Sequence, residues 1–232
     1  MTQTSGELTV VKLGGSLAGS EHLTGWLDAM AACRGQVVVV PGGGQFADTV
    51  RAAQETMRFD DVAAHAMALL AMEQFGWAMV GLRRAFRVAA SVAAIRRILH
   101  DGYVPVWAPT AMVLREPTIP ASWDVTSDSL AVWLAGRLGA RRLLLVKHGA
   151  PADPVLVTDL VVQSLVDPDF PRYLANCGAR AFIAAPQAHA AMTAAIRRGG
   201  PLGARIELHA ADPTDSDSSS WPRSRRRAGA GL

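Results

Sequence analysis

A lysine and two glycines end the first apolar segment of this 232-residue chain, and this junction most constrains the fold. Residues 10–17 read V-V-K-L-G-G-S-L. An extended apolar segment does not need glycine, and burial of an unpaired ammonium group is costly. Glycines at the end of a strand let backbone N–H groups come close to an anion. Lys12, Gly14 and Gly15 therefore predict a buried strand that ends at an anion-binding site.

A second apolar segment ends in the same way. Residues 37–40 are four valines, and Pro41, Gly42, Gly43 and Gly44 follow them. A helix that begins after such a turn adds a dipole that favours anions. A single glycine turn is equally well explained by the tight connection itself. Two of them, with a lysine before the first, favour a polyphosphate and a second anionic or polar ligand.

Strand-like segments alternate with helical periodicity along most of the chain. This alternation predicts an α/β fold, a three-layer sandwich with an open, mostly parallel central sheet. The predicted strands are 9–13, 37–40, 104–107, 142–146, 180–184 and 204–208, and the predicted helices are 21–33, 46–57, 127–138 and 187–198. Residues 60–100 predict a long helical segment broken near 83–90.

The distribution of charge argues against a nucleic-acid partner. The net charge is +3, and much of the basic excess lies in R-S-R-R-R at 223–227. Without this segment the chain is nearly neutral, whereas nucleic-acid binding requires a basic surface. Cys33 and Cys177 are far apart and form no metal-binding pattern with the six histidines, so we predict no protein-held metal.

The most apolar segment, residues 62–82, is predicted to be a buried helix rather than a membrane span. It contains His65, Glu73 and Gln74, which a spanning helix rarely carries near its centre. The first residues lack the features of a signal peptide. We therefore expect a cytoplasmic protein without a membrane partner. Residues 212–232 are polar and of low complexity, which predicts disorder.

Residues 42–47, G-G-G-Q-F-A, also fit the dinucleotide-binding pattern, with Asp60 and Asp61 downstream. That interpretation predicts an NAD(P)-dependent oxidoreductase. It leaves Lys12 and the first glycine turn unexplained, so it is the less favoured alternative. The Walker pattern of P-loop NTPases is absent from the sequence.

Two polar segments later in the chain are further candidates for the site. Residues 123–131 read W-D-V-T-S-D-S-L-A, in which Thr126 or Ser127 can cap a helix. Asp124 and Asp128 flank this cap, and one of them can bridge cations such as Lys12. Lys147 follows the strand-like L-L-L-V at the edge where parallel sheets bind ligands. A solvated strand end remains the alternative for Lys147.

Three of these segments, V-V-K-L-G-G-S, V-V-V-V-P-G-G-G and T-S-D-S-L-A, resemble the amino acid kinase family in their order and spacing. The family includes acetylglutamate kinase, aspartokinase and uridylate kinase, and the resemblance covers roughly residues 8–210. It implies one domain at 8–211 after an N-terminal extension of residues 1–7. ATP is then expected over a nucleotide half of about 126–211, and the acceptor over a half of about 8–125.

The resemblance also implies roles for individual residues. Lys12 would contact the transferring phosphoryl group, and Asp128 would orient Lys12 and a second lysine, for which Lys147 is the candidate. ATP and Mg²⁺ are the implied cofactors. The segment V-K-H-G-A at 146–150 departs from the family's usual T-D-V-x-G, so the resemblance does not specify the details of the nucleotide pocket. Implied phosphate contacts are Gly14, Gly15 and Ser16, and implied acceptor contacts are Gly42, Gly43, Gly44 and Asp124.

Residues 60–72 and 166–171 resemble a small archaeal-type branch of the family, related to aspartokinase, that includes kinases of methanofuran biosynthesis. This branch implies phosphorylation of an aminomethyl-furan phosphate to its diphosphate. A carboxylate kinase of the same fold, or a non-catalytic nucleotide- or oxyanion-binding protein, remains an alternative, and a homo-oligomer is compatible with six tryptophans.

The residues that contact such an acceptor stay open at this point. Within the branch-like segment 60–72, His65 and Met72 are expected in the helix core rather than in contact with a ligand. The candidates for the acceptor's phosphate are Arg51, Arg58, Arg83, Arg84 and Arg87, and those for its amine are Asp60, Asp61 and Asp124.

Overall fold

The computed structural model describes residues 7–149 and 151–209. The predicted N-terminal extension, apart from Glu7, and the predicted disordered segment 212–232 lie outside the described residues. Within the described ranges, no helix has the length and apolar character needed to cross a membrane.

The strands of the described chain form one eight-stranded sheet, as predicted for a mostly parallel α/β fold. Their order is β3-β4-β2-β1-β5-β7-β8-β6, and only the β7–β8 pair is antiparallel. The strands are β1 Thr9–Leu13, β2 Val37–Pro41, β3 Phe86–Ala89, β4 Val104–Trp107, β5 Arg142–Val146, β6 Val155–Leu156, β7 Arg180–Ala184 and β8 Ala204–Glu207.

Helices cover both faces of the sheet and complete the three layers. One hydrophobic cluster joins the sheet to α1, α9 and the C-terminal part of α3, and a second joins the opposite face to α4, α6, α7 and α8. The helices are α1 His22–Ala32, α2 Gly44–Met57, α3 Asp61–Leu82, α4 Val92–His100, α5 Thr110–Val113, α6 Ser127–Leu138, α7 Val157–Val162, α8 Phe170–Ala175 and α9 His189–Arg198.

The predicted helix break near 83–90 contains strand β3, which the sequence pattern did not reveal. β3 pairs with β4 at one edge of the sheet. Phe86 and Ala89 are buried, whereas Arg87 between them is exposed. Four residues with two buried positions are too short a pattern to stand out between two long helices.

The register of the central strands places two lysines on the same side of the sheet. β1 lies between β2 and β5, with Lys12 beside Val40 and Leu145. Side chains alternate between the faces of a sheet, so Lys147, two residues beyond Leu145, continues on the face of Lys12. The N-terminus of α6 packs over this face of β1 and brings Asp128 to both lysines.

Candidate functional site

Two lysine ammonium groups share one buried carboxylate at the carboxyl ends of β1 and β5. Lys12 Nζ lies 2.8 Å from Asp128 Oδ1, and Lys147 Nζ donates to Asp128 Oδ2 at 2.6 Å. The Lys12 and Asp128 side chains are almost completely buried, and the Lys147 side chain is 18% exposed. The three residues named from the sequence as reactive are thus brought together, and we call Lys12, Asp128 and Lys147 the inner triad.

The inner triad shifts the ionisation of its members. Burial lowers the pKa of Lys12 to about 8, even though the Asp128 carboxylate opposes this shift. Burial alone would raise the pKa of Asp128, but the charges of Lys12 and Lys147 together hold it below its usual value. By formal charge, the two lysines and one aspartate give the triad a net charge of +1.

A second buried aspartate holds the start of α6 and so positions Asp128. Asp167 Oδ2 accepts hydrogen bonds from the backbone N–H of Thr126 at 2.9 Å, the Thr126 hydroxyl at 2.8 Å and the N–H of Ser129 at 3.0 Å. The Ser129 hydroxyl donates to its other oxygen. Burial, with the nearby Asp128 charge, raises the pKa of Asp167. The sequence interpretation gave Asp167 no role, although it lies in the branch-like segment 166–171.

The two glycine turns pack backbone against backbone. A side chain on Gly15 would place its Cβ 2.0 Å from the Gly44 nitrogen, and one on Gly44, where φ is +53°, would lie 2.6 Å from the Gly15 oxygen. The Gly14 N–H donates to the Val146 carbonyl at 3.0 Å, and the Gly42 N–H to the Leu13 carbonyl at 2.8 Å. The N–H groups of Gly14 and Gly42 therefore complete the sheet rather than face a ligand.

A cavity of about 330 Å³ opens from the inner triad and extends between α2 and α3. Gly15, Ser16, Gly43 and Gly44 line its inner part. Gly14, Gly42 and Asp124, also named from the sequence, are not among its lining residues, and Asp124 is exposed. Its other walls are Gln45, Ala47, Asp48 and Arg51 of α2, Asp61, His65, Ala68, Leu69 and Met72 of α3, Ser122, Trp123, Val125 and Thr126 of the connecting loop, and Ser127 and Leu130 of α6.

The far part of the cavity, which we call the outer end, consists of Asp48, Arg51, Asp61 and Trp123. The Arg51 guanidinium lies 4.2 Å from the Trp123 ring centroid and 3.2 Å from Asp48 Oδ1. Gln54 links the other two residues. It accepts from the Trp123 indole N–H at 2.8 Å and donates to Asp61 Oδ1 at 2.8 Å. Gln54 therefore joins α2, α3 and the loop, a role that local sequence patterns did not indicate.

Among the acceptor contacts that the sequence left open, Arg51 and Asp61 line the cavity. Arg83 instead pairs with Asp28 at 2.6 Å, and the Asp60 carboxylate caps α3 by accepting from the Ala63 N–H. His65 and Met72 are buried in α3, as expected for core residues, but both also line the cavity. Arg58, Arg84 and Arg87 are not lining residues.

The described residues provide no cage for a metal ion. No group of three or more histidine, cysteine, aspartate or glutamate side chains within residues 7–149 and 151–209 could hold one. Both oxygens of Asp128 already face lysine ammonium groups. A Mg²⁺ ion at the inner triad would therefore have to be held mainly by phosphate oxygens.

Comparison with known proteins relates this chain to kinases. The model of the amino acid kinase family matches residues 7–150. A curated protein of Methanocaldococcus jannaschii, [5-(aminomethyl)furan-3-yl]methyl phosphate kinase, is 25% identical over 140 residues. This match covers 59% of the present chain and 63% of that relative, less than two thirds of its length.

Solved structures share the fold at low sequence identity. Uridylate kinase from Archaeoglobus fulgidus aligns with a TM-score of 0.64 and 17% identity, over 86% of this chain and all of the other. UMP kinase from Bacillus anthracis aligns with a TM-score of 0.62 and 18% identity, over 87% of this chain and 96% of the other. Aspartate kinase from Synechocystis aligns with a TM-score of 0.61 and 14% identity, over 91% of this chain and 41% of the other.

Proposed function

Because the chain belongs to the amino acid kinase family, we propose that it is an ATP-dependent kinase that phosphorylates a small phosphate monoester to a diphosphate. The observation that carries this proposal is the inner triad, in which two ammonium groups converge on one buried carboxylate at the inner end of a cavity. Phosphoryl transfer depends on alignment and on positive charge around the transferring group. The triad has that net positive charge.

Lys12 and Lys147 would stabilise the charge that spreads over the transferring phosphoryl oxygens. Asp128 holds both ammonium groups in place before the substrates bind, so no reorganisation is needed during the reaction. Asp167 fixes the start of α6 and with it the position of Asp128. Gly15, Ser16, Gly43 and Gly44 leave the surface beside the triad free of bulky side chains.

The chemical step joins two anions and needs no strong general base. An oxygen of the acceptor phosphate attacks the γ-phosphorus of ATP, and the bond between that phosphorus and the β–γ bridging oxygen breaks. ADP leaves with the bridging oxygen, and the acceptor becomes a diphosphate. The acceptor phosphate is already ionised at neutral pH, so no proton has to be removed from the attacking oxygen.

Magnesium fits this scheme as part of the MgATP substrate. Mg²⁺ in kinase sites is commonly held by substrate phosphates and water with one or two carboxylates. The described residues form no cage of their own, and the Asp128 oxygens are engaged by the lysines. The ion would neutralise part of the negative charge on the phosphates, and the lysines would neutralise the rest of that charge.

For the acceptor, we propose [5-(aminomethyl)furan-3-yl]methyl phosphate or a close analogue. The curated relative carries this name, and the branch-like segments 60–72 and 166–171 agree with it. In support, the segment 60–72 supplies five cavity-lining residues, Asp61, His65, Ala68, Leu69 and Met72. The cavity also has a volume suited to a small ring with two arms.

The test is a mass-spectrometric transfer assay with Mg-ATP. The furan phosphate is compared in parallel with carboxylate acceptors, aspartate and an N-acylated glutamate, and Lys12→Ala serves as the impaired control. We expect a furan diphosphate and ADP in equal amounts, formed about 10²–10³-fold more slowly by the control. Transfer to a carboxylate alone would contradict the phosphate acceptor. Binding of ATP without transfer to any acceptor would contradict the kinase assignment.

A further inference from the structure

The two ends of the cavity carry opposite net charge. At the inner end, Lys12 and Lys147 outnumber Asp128 by one positive charge. At the outer end, Asp48 and Asp61 outnumber Arg51 by one negative charge. His65 is the remaining ionisable residue among the lining residues, and burial lowers its pKa, which favours the neutral imidazole. A ligand that matches this cavity has an anionic end and a cationic end.

The two carboxylates of the outer end differ in what they face. Asp48 Oδ1 pairs with the Arg51 guanidinium at 3.2 Å. Asp61 Oδ1 accepts a hydrogen bond from the neutral amide of Gln54 at 2.8 Å. An amide fixes the position of a carboxylate without cancelling its charge. Asp61 is therefore the fixed negative charge at the outer end that the described residues leave uncompensated.

His65 gives an independent indication that this part of the cavity receives a polar ligand. It lies one helical turn after Asp61 on α3, is 9% exposed and lines the cavity. No hydrogen bond or ion pair joins its imidazole to another of the described residues, and burial is the sole cause of its pKa shift. Its ring nitrogens are not among the buried polar atoms that lack a partner, so they are accessible from the cavity, where a ligand can donate to or accept from the imidazole.

The separation of the two ends sets the length of the ligand. Gly44, at the inner end, and Gln54, which holds Asp61, are ten residues apart on α2, about 15 Å along the axis at ~1.5 Å per residue. The side chains and hydrogen bonds at both ends shorten the span that a ligand must bridge. An α-amino acid carries its charges only a few bonds apart. A ring with a phosphate arm and an opposite ammonium arm holds its charges further apart and so matches two separated ends better.

From these observations we infer that Asp61, with His65 beside it, forms a binding site for a primary ammonium group of the phosphoryl acceptor. The inference rests on the proposed function, since the acceptor phosphate is taken to lie at the inner triad. Asp61 would receive a charge-assisted hydrogen bond from the ammonium group, and the neutral His65 ring would accept a second one. Gln54 would act as a positioning residue for Asp61.

The experiment compares two acceptors that differ only in charge at this position. One is [5-(aminomethyl)furan-3-yl]methyl phosphate, and the other is its (5-ethylfuran-3-yl)methyl analogue, in which a methyl group replaces the ammonium group. Kd is measured by calorimetry without ATP, and kcat/KM with Mg-ATP. The variants are Asp61→Asn and Asp61→Glu, with Asp60→Asn as the matched control, because Asp60 caps α3 without lining the cavity. Melting temperature is followed for each.

We expect the wild-type protein to prefer the amine by about 10- to 100-fold in Kd, the scale of one hydrogen bond to a charged group. Asp61→Asn should reduce this preference to about threefold or less, and Asp61→Glu should restore part of it. Asp60→Asn should keep the wild-type preference even if it lowers the melting temperature. An unchanged preference in Asp61→Asn would overturn the inference.

Failure of this inference is distinguishable from failure of the proposed function. Equal phosphorylation of both acceptors by the wild-type protein would overturn the ammonium site and leave the kinase standing. An Asp61-dependent preference in Kd without phosphorylation of either acceptor would support the ammonium site and contradict the proposed reaction. Absence of binding of either acceptor would overturn the site.

Discussion

The inner triad and the outer end of the cavity are built in different ways. Lys12 and Lys147 extend from neighbouring strands, and Asp128 begins a helix packed on those strands, so their positions follow the sheet. The outer end consists of side chains from α2, α3 and a loop, and its aspartates and Arg51 are exposed. The sheet fixes the charges needed for transfer, whereas the outer end depends on how two helices pack.

This difference separates the expected consequences of mutation. Interactions that strengthen only in the transition state change kcat, whereas interactions equal in both states change KM. Changes in the triad should therefore lower kcat with any acceptor. Changes at the outer end should affect KM, and only for acceptors that reach it.

The largest effect is expected for Lys12→Ala. Loss of one preorganised ammonium group should lower kcat by about 10²–10³-fold. Removal of a buried lysine should not unfold the protein, because burial already disfavours the charged form of Lys12. Steady-state kinetics with two different acceptors, together with a melting curve, check this prediction. A wild-type kcat would show that Lys12 plays no part in transfer.

Asp128→Asn should lower kcat by about 10-fold or more, because the two lysines lose the charge that orients them. We expect a smaller change in KM for ATP and a lower melting temperature, since two ammonium groups remain near a neutral amide. If kcat is unchanged while the melting temperature falls strongly, Asp128 serves only to hold the start of α6 and the two ends of the cavity are less distinct than proposed.

The pH dependence of kcat/KM tests the inner triad with a smaller effect. The pKa of Lys12 is lowered from 10.5 to about 8, so its ammonium group loses its proton as pH rises through 8. We expect kcat/KM to decline above pH 8, by up to about tenfold per pH unit. Stability should change in the opposite direction. Between pH 8 and 10.5 the unfolded chain binds more protons at this lysine, so the free energy of unfolding rises with pH.

The Asp128→Asn variant is the control for this profile. The Asp128 charge raises the pKa of Lys12, so its removal should move the decline in kcat/KM to lower pH. A profile that is flat to pH 9.5 in the wild-type protein would contradict the assignment of Lys12 as the required cation.

The smallest effect is expected at the outer end. Gln54→Leu removes the amide that joins the Trp123 indole to the Asp61 carboxylate. We expect KM for the aminomethyl acceptor to rise by about 3- to 10-fold, the scale of one hydrogen bond, with kcat nearly unchanged. Gln45→Leu is the matched control, because Gln45 lies on the same helix and lines the cavity without joining these groups. A loss of kcat in Gln54→Leu would erase the proposed division between the two ends.

Much of the fold could be predicted from local patterns. The strands that end at Leu13 and Pro41, and the helix that begins at Ser127, agree with the sequence interpretation within a residue or two. These segments are long, apolar and bounded by glycine or a helix cap, so their periodicity is clear. β3 and the short β6 were not predicted, because an edge strand of two to four residues carries too few positions to show a period.

The residues of the candidate site also differ in how far local sequence patterns predicted them. The sequence pattern left Asp124 and Asp128 open as partners of Lys12, and the family resemblance implied Asp128, with Lys147 as the candidate for a second lysine. The strand register shows how Lys147 continues on the face of Lys12 and reaches the same carboxylate. Asp167 contacts residues 38 and 41 positions away, and Gln54 contacts Trp123 69 positions away, and no local pattern carries such contacts.

By itself, the sequence determined the type of fold, the two glycine turns and the lysine that one of them follows, because these depend on neighbouring residues and on burial. The tertiary structure decided the actual contacts among the charged and polar side chains. It left the amides of Gly14 and Gly42 in the sheet, brought Asp61 and His65 to one cavity wall, and excluded Asp124 from it. Such outcomes depend on register and helix packing, which bring together residues that are distant along the chain.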